Sequence, residues 1–494
     1  MSLNHSKIKN QNDWRIINLY EYANSEPYGG DIEALESFLD EIWEKRPQQV
    51  ALYPDPTEEE QYDSSIEAKQ KFLTFLKYNH IKSRKYIGII NYNGHTINLL
   101  PKIFFQNKSA EYSEDALNAI HANVLWWLSY CKKIKFPKTK SALSTIKSDF
   151  FELLIYLFAL YTRQALNNCM YQTYTEINNE IDFMKGRLDV NKYITDNLSN
   201  GRWHKLACIY DSFEFDNLFN RIVKCVANLL LGTSNNNENR QLLSEIIFIL
   251  DEVSDVRASY SDCDKVNLNP LYEDLFTVLD YCKLFLANSV TFSYKDQFQV
   301  FAFFLPMEYV FEDFVFGFIE THLKNTEGLK NLKYQKSDLY LAQLYENEQI
   351  VKDKVFNLQH DIYFEYEAKK IIADTKYKII YNPDNDPKNL DFKHGVSQAD
   401  LYQLVSYAIR RKATDLYLLY PEKLMERHNN NIEKSVKFVI KDEFANKKIA
   451  INIAKVPIIH HDFPNIDFSI PLQNNFEKTA TRLEDRLCKI FALR

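Results

Sequence analysis

Glycine is scarce in this chain of 494 residues, which has only ten. None stands in a Gly-x4-Gly-Lys-Ser/Thr phosphate loop, so no nucleotide-driven motor of that class is encoded. If nucleotide hydrolysis drives this system, the nucleotide belongs to another chain. A basic excess is missing too. With 60 Lys and Arg against 67 Asp and Glu, the net charge is −7, which argues against a protein that grips a polyanion along a broad surface by itself. The seven cysteines (131, 169, 208, 225, 263, 282 and 488) are scattered without a Cys-x-x-Cys pair, which excludes a disulfide framework or zinc ribbon and fits reduced thiols. The segment Met1 to Lys9 has no apolar signal core. The most apolar stretch, Phe150 to Tyr161, is interrupted by Glu152 and is too short to span a bilayer. A cytoplasmic protein without membrane contact is expected.

What is present is ample material for packed cores: 34 Phe, 32 Tyr and 46% hydrophobic residues overall. The length gives a prior of about three domains. The expected fold class is α/β, mixed α+β overall, in three segments. Residues 1–115 read as a mixed α/β domain, with helices at Glu33–Glu44 and Glu67–Tyr78. Strands at 85–92 and 95–101 follow, joined by the hairpin signal Asn93-Gly94. Residues 116–295 read as mostly helical, with an extended piece near 171–190 and an Asn-rich exposed loop at 234–239. Residues 296–494 hold an α/β core closed by a strand at Lys447–Pro457 and an amphipathic helix at Phe476–Leu493.

The chemistry concentrates in that last segment. Residues 358–366 and 369–377 are rich in Ile, Tyr and Phe and read as a hairpin. With its turn centred on Glu367-Ala368, Asp361 lies opposite Asp374. Asp374 and Lys376 are two apart and share a strand face in any register. Two carboxylates on adjacent strands with a lysine beside them suit a hard divalent cation, since Mg2+ takes one or two protein carboxylates and keeps room for water and substrate phosphate. Such a cation acidifies a bound water, and the lysine can orient or deprotonate that water, or stabilise developing charge. The acidic-x-basic triplet alone is weak, because on the order of eight arise by chance at this composition; an ordinary solvated hairpin face contains them too. Context strengthens it. A helix from Pro306 to Glu320 puts Phe311, Phe314, Val315, Phe318 and Ile319 on one face and Glu312 on the polar side, as an added acid or an ordinary exposed carboxylate. A second helix, from Ser397 to Arg411, starts at a capping box of Ser397 and Asp400 and aligns Gln403 with Tyr407 at i, i+4. Ala413 to Pro421 reads as a buried strand.

Residues 307–421 resemble the nuclease region of McrC, the cleavage subunit family of McrBC-type restriction systems, within the PD-(D/E)XK superfamily. The pieces that carry the resemblance are Val310 to Val315, Gln359-His360-Asp361, Ala373 to Lys378, and Gln398 to Ala408. It extends upstream, in the same order, through Tyr86 to Ile90, Ile97 to Ile103 ending in Pro101-Lys102-Ile103, Asn123 to Tyr130, Met184 to Asp189, and Phe215 to Arg221. A family member more often has Arg-Pro-Asp where this chain has Gln359-His360-Asp361, and Arg where it has Lys185.

The resemblance implies a PD-(D/E)XK core and an endonuclease subunit of a GTP-driven, modification-dependent restriction complex used in phage defence. Asp361 and Asp374 would bind Mg2+, with Mn2+ as an alternative. Lys376 would assist the water, Gln403 and Tyr407 would position the strand or the lysine, and Glu312 would support the metal. The implied partners are double-stranded, methylated DNA and an McrB-like AAA+ GTPase, with GTP on that partner only and docking through the N-terminal part of this chain. The alternative is a non-catalytic assembly or GTPase-activating scaffold with an unused nuclease-like core. His460-His461 invites a metal reading but lacks partners at ligand spacing, so a packing role is expected.

Overall fold

The computed structural model describes residues 16–45, 70–106, 113–132, 150–270, 272–288, 293–295, 298–346, 348–367, 369–380, 393–426, 436–442, 447–467 and 469–493. The acidic run at 55–63, the basic run beyond Lys132 and the polar loop from 381 lie outside them. The chain has a mixed α/β fold and divides into two compact units. One contains the described residues up to Phe150 and those from Ser293 onward; the other spans Phe151 to Asn288.

In the first unit, five strands form a sheet in the order Ile16–Tyr20, His95–Leu100, Tyr86–Tyr92, Phe298–Pro306 and Ser293–Lys295. The expected hairpin is there: Asn93 and Gly94 both take positive φ, +47° and +76°, as a tight two-residue turn needs. The helix Ile32–Lys45 matches its expectation, whereas the helix expected at Glu67–Tyr78 is overturned. Its described part contains the strand Leu73–Leu76, paired antiparallel with His80–Ser83.

The second sheet of this unit holds the site. Its six strands run Leu329–Glu346, Gln349–Tyr366, Lys369–Thr375, Asp415–Pro421, Lys447–Val456 and Val436–Asp442. The central three are mutually parallel and the flanking pairs antiparallel. The helix Gln398–Arg411 makes the crossover between Lys369–Thr375 and Asp415–Pro421. Its Leu404, Tyr407 and Ala408 pack against Ile372, Leu416, Leu418 and Ile451, which explains the near-continuous apolar runs of the parallel strands. The helix Met307–His322 is buried over most of its circumference. Gly317 permits its close approach, since a Cβ there would lie 1.8 Å from the Tyr130 carbonyl oxygen. The closing helix Glu477–Phe491 buries Leu483, Leu487 and Phe491.

The second unit packs helices Phe150–Asn168, Leu218–Thr233, Asn237–Ile249 and Glu273–Asn288 with a three-stranded sheet of Thr173–Ile181, Leu206–Glu214 and Arg187–Leu188. Asn217 and Asn220, at the start of one helix, both donate to the Tyr171 carbonyl, and Asp216 holds Arg221 through two hydrogen bonds. That motif is therefore a structural anchor. Among the described residues, no helix is long and apolar enough to cross a membrane.

Candidate active site

Backbone pairing fixes the two acids. The ladder between the Gln349–Tyr366 and Lys369–Thr375 strands runs from Tyr366↔Lys369 to Ile362↔Ala373. Asp361 and Asp374 are the next residues along, on adjacent strands, in the register expected from the Glu367-Ala368 turn. Glu367 has φ +46°, the conformation that a poor turn sequence must accept to close in two residues. Asp374 stands near the carboxyl end of a parallel strand, where open α/β sheets place their ligands.

Asp361 is partly buried, and its Oδ2 accepts from the Thr375 amide at 2.7 Å and the Thr375 hydroxyl at 2.8 Å. Asp374 is completely buried, and neither of its carboxylate oxygens has a hydrogen-bond partner; the Lys376 ammonium rests against Oδ2 as an ion pair. Burial, then the neighbouring Asp374 and Glu312 carboxylates, push the Asp361 carboxyl well above the usual range, against the pull of Lys376 and the Thr375 N–H. Burial pulls the Lys376 ammonium down, but Asp374 and Asp361 outweigh it and the net shift is upward. Glu312 accepts from the Gln335 side-chain amide at 3.0 Å and so stands at the edge of the acid pair.

The helix Gln398–Arg411 completes the site. Lys376 Nζ donates to Gln403 Oε1 at 3.3 Å. Gln403 Nε2 donates to the Tyr407 hydroxyl at 2.6 Å, and that hydroxyl donates to the Gln359 carbonyl. The network thus runs from Asp374 back to the strand carrying Asp361. Of the six candidate residues, Asp361, Asp374, Lys376, Gln403 and Tyr407 converge, with Glu312 alongside.

Several participants were not foreseen. Thr375, between the two motif residues, fastens Asp361. Ser397 does cap its helix through the Asp400 amide, but the Asp400 carboxylate is taken by the Lys378 ammonium, at 2.9 Å to Oδ2. That pair ties the helix to the strand one turn before Gln403. His360 is fully buried, its ring stacked on Tyr407 at 4.2 Å between centroids. Its Nε2 accepts from Arg411 Nε at 3.0 Å, and burial, aided by Lys336, lowers its pKa to about 4. A neutral, flat imidazole thus occupies the place where family members more often have proline.

The residues fit a hard divalent cation. Asp374 offers a buried Oδ1 without a hydrogen-bond donor beside the Oδ2 that Lys376 contacts, and the adjacent Asp361 carboxyl is disfavoured as an anion until positive charge is added. Among the described residues, no group of three or more His, Cys, Asp or Glu side chains is arranged to hold a metal ion. His460 and His461 hold internal partners instead: the His460 ring meets the Asn475 carbonyl, and His461 meets Thr479 and Asp462.

Fold and site together define a mixed α/β core whose six-stranded sheet carries a buried Asp–Asp–Lys cluster, alongside an N-terminal five-stranded sheet. Residues 81–421 match the family described as the McrBC 5-methylcytosine restriction system component, and the chain belongs to that family. No curated protein sequence matches it. Among solved structures, it is similar to a chain in the refined half-complex of the tetradecameric assembly of Thermococcus gammatolerans McrB AAA+ hexamers with bound McrC. The two are 16% identical with a TM-score of 0.62, over 94% of this chain and 99% of that one. A chain of the Thermococcus gammatolerans McrBC complex is 20% identical, with a TM-score of 0.46 over 62% of this chain and 88% of that one.

Proposed function

We propose that this chain is the metal-dependent DNA-cleaving subunit of a modification-dependent restriction complex. The observation that carries the reading is the fully buried Asp374 carboxylate beside Asp361, with Oδ1 unpaired and Oδ2 against the Lys376 ammonium. Two buried carboxylates side by side are costly unless charge is brought to both; Lys376 offsets one, and a bound cation accounts for the other where a scaffold role does not.

Asp361 and Asp374 would hold Mg2+ or Mn2+, which when bound supplies an acidified water and screens phosphate charge. Thr375 fixes one acid by two hydrogen bonds. Lys376, kept as an ammonium, lies where it orients the attacking water and offsets charge building on the phosphate. Gln403 and Tyr407 hold the lysine direction, and Glu312 adds negative charge that favours a cation. Cleavage is hydrolysis of a phosphodiester: water attacks phosphorus and the sugar oxygen leaves.

The related assembly contains McrB AAA+ hexamers with bound McrC. We assign this chain a partner of the same kind, an McrB-like AAA+ GTPase that binds the GTP, recognises methylated double-stranded DNA and is stimulated by this subunit. The net charge of −7 favours delivery to DNA by a partner over independent capture. The test is plasmid cleavage by wild type and Asp374→Ala with Mg2+, GTP and the AAA+ partner. Loss of cleavage with GTPase stimulation retained supports the reading; equal cleavage by both proteins overturns the site.

A further inference from the structure

Lys102 is the middle residue of the Pro101-Lys102-Ile103 motif that follows the His95–Leu100 strand, and the site described above does not use it. Its ammonium donates to the carbonyl oxygen of Tyr377 at 2.8 Å, and Tyr377 directly follows Lys376. The same ammonium lies 4.4 Å from the centroid of the Tyr377 ring, a cation–π distance. Its backbone amide donates to Glu21 Oε2 at 3.3 Å. Glu21 is buried and its own amide is bound to the Leu100 carbonyl. The Tyr377 ring is buried too, 5.8 Å from that of Phe311, the neighbour of Glu312.

On its other side, the Lys376 amide donates to the Leu419 carbonyl at 2.9 Å. The segment around Lys376 is thus held from two directions: by the sheet core through Leu419, and by the N-terminal sheet through Lys102. A strand-end lysine with no role would point its ammonium to solvent; this one is directed at a backbone carbonyl one residue from the lysine of the site.

We propose that Lys102 is a positioning residue for Lys376, clamping the Tyr377 carbonyl from the N-terminal sheet so that the Lys376 ammonium stays against Asp374. This rests on the nuclease reading above for its consequence in catalysis, but the clamp itself is testable without activity. Lys102→Met alone would leave the buried Glu21 carboxyl without its neighbouring charge, so the informative variant is the double Lys102→Met/Glu21→Gln, with Lys102→Arg as the conservative rescue.

The direct measurement is competitive lysine acetylation of the full chain, read peptide by peptide by mass spectrometry. Lys224, a buried lysine whose Nζ donates to the Val253 carbonyl at 2.6 Å, serves as the reference for an intact fold. In the double variant, Lys376 labelling is expected to rise about tenfold while Lys224 labelling stays at the wild-type rate. In Lys102→Arg both stay protected. In the assembled complex, kcat for cleavage in the double variant is expected to fall about tenfold at unchanged KM for DNA, with recovery in Lys102→Arg. Lys376 labelling in the double variant equal to wild type overturns the clamp, as does a rise shared by Lys224, which would mark general unfolding. Absence of cleavage by wild type, or cleavage surviving Asp374→Ala, would instead strike the nuclease reading and leave the labelling result to decide the role of Lys102.

Discussion

Gln403 Oε1 accepts from Lys376 Nζ at 3.3 Å, so a helix side chain sets the direction of a lysine just past the end of the Lys369–Thr375 strand. The same amide donates to Tyr407 four residues on, one helical turn away. Gln403→Ala frees the lysine without removing it. It is expected to lower single-turnover cleavage about 10- to 100-fold, while Lys376→Ala abolishes it. Tyr407→Phe keeps the ring stacked on His360 and loses only the hydroxyl, so a smaller decrease is expected. Rapid-quench kinetics on one plasmid substrate rank the three variants, and an unimpaired Gln403→Ala would remove the network from the account.

Metal should stabilise the fold through the acid pair. Added Mg2+ is expected to raise the wild-type Tm and EDTA to reverse it, because a ligand that binds only the native state shifts the equilibrium by mass action. Asp361→Asn removes one of two carboxylates that repel each other in a buried site, so this variant should melt above wild type in EDTA and gain little from Mg2+. Scanning calorimetry with and without metal measures both effects.

Two kinds of buried group give opposite pH slopes. Burial pushes the Glu21 carboxyl up to about 7, against the pull of Lys102. Between the ordinary carboxylate range and that value, the native state holds a proton that the unfolded chain has released, so this contribution falls as pH rises toward 7. Burial lowers His121 to about 4, and burial with Lys336 lowers His360 to about 4. The unfolded imidazole protonates near its ordinary value of about 6.5, so their contribution is lost as pH drops from there toward 4. Glu21→Gln should therefore raise stability at pH 8 more than at pH 5, and His121→Gln should flatten the acid limb. Urea denaturation at pH 5, 6 and 8 reads both.

Gly317→Ala is expected to destabilise by about 1–3 kcal/mol, because the added methyl meets the Tyr130 carbonyl, backbone that cannot easily yield. Equilibrium denaturation measures it.

Much of the site was legible because its determinants are local. The Asp361–Asp374 register follows from a turn two residues long, and the Gln403–Tyr407 alignment follows from helical spacing. The Asp400–Lys378 pair was missed because a side chain at a capping position has two possible partners, and the tertiary one won. The strand Leu73–Leu76 was misread as helix because Phe72, Leu73, Phe75 and Leu76 satisfy both periods. The usable signal is Asn79, a residue that tolerates the left-handed conformation; Tyr78 and Asn79 both take it, with φ of +61° and +55°, in the turn after the strand. The five-stranded sheet is completed by residues 293–295 and 298–306, about 200 residues after its Tyr86–Leu100 hairpin. Pairing at such separations, and the reach of Lys102 to Tyr377, leave no mark in local sequence.

The most direct test of the central claim is cleavage of methylated plasmid by the full complex with Mg2+ and GTP, comparing wild type with Asp374→Ala. Wild type is expected to cleave, and Asp374→Ala to lose cleavage while GTPase stimulation persists. Cleavage by Asp374→Ala at the wild-type rate would contradict it.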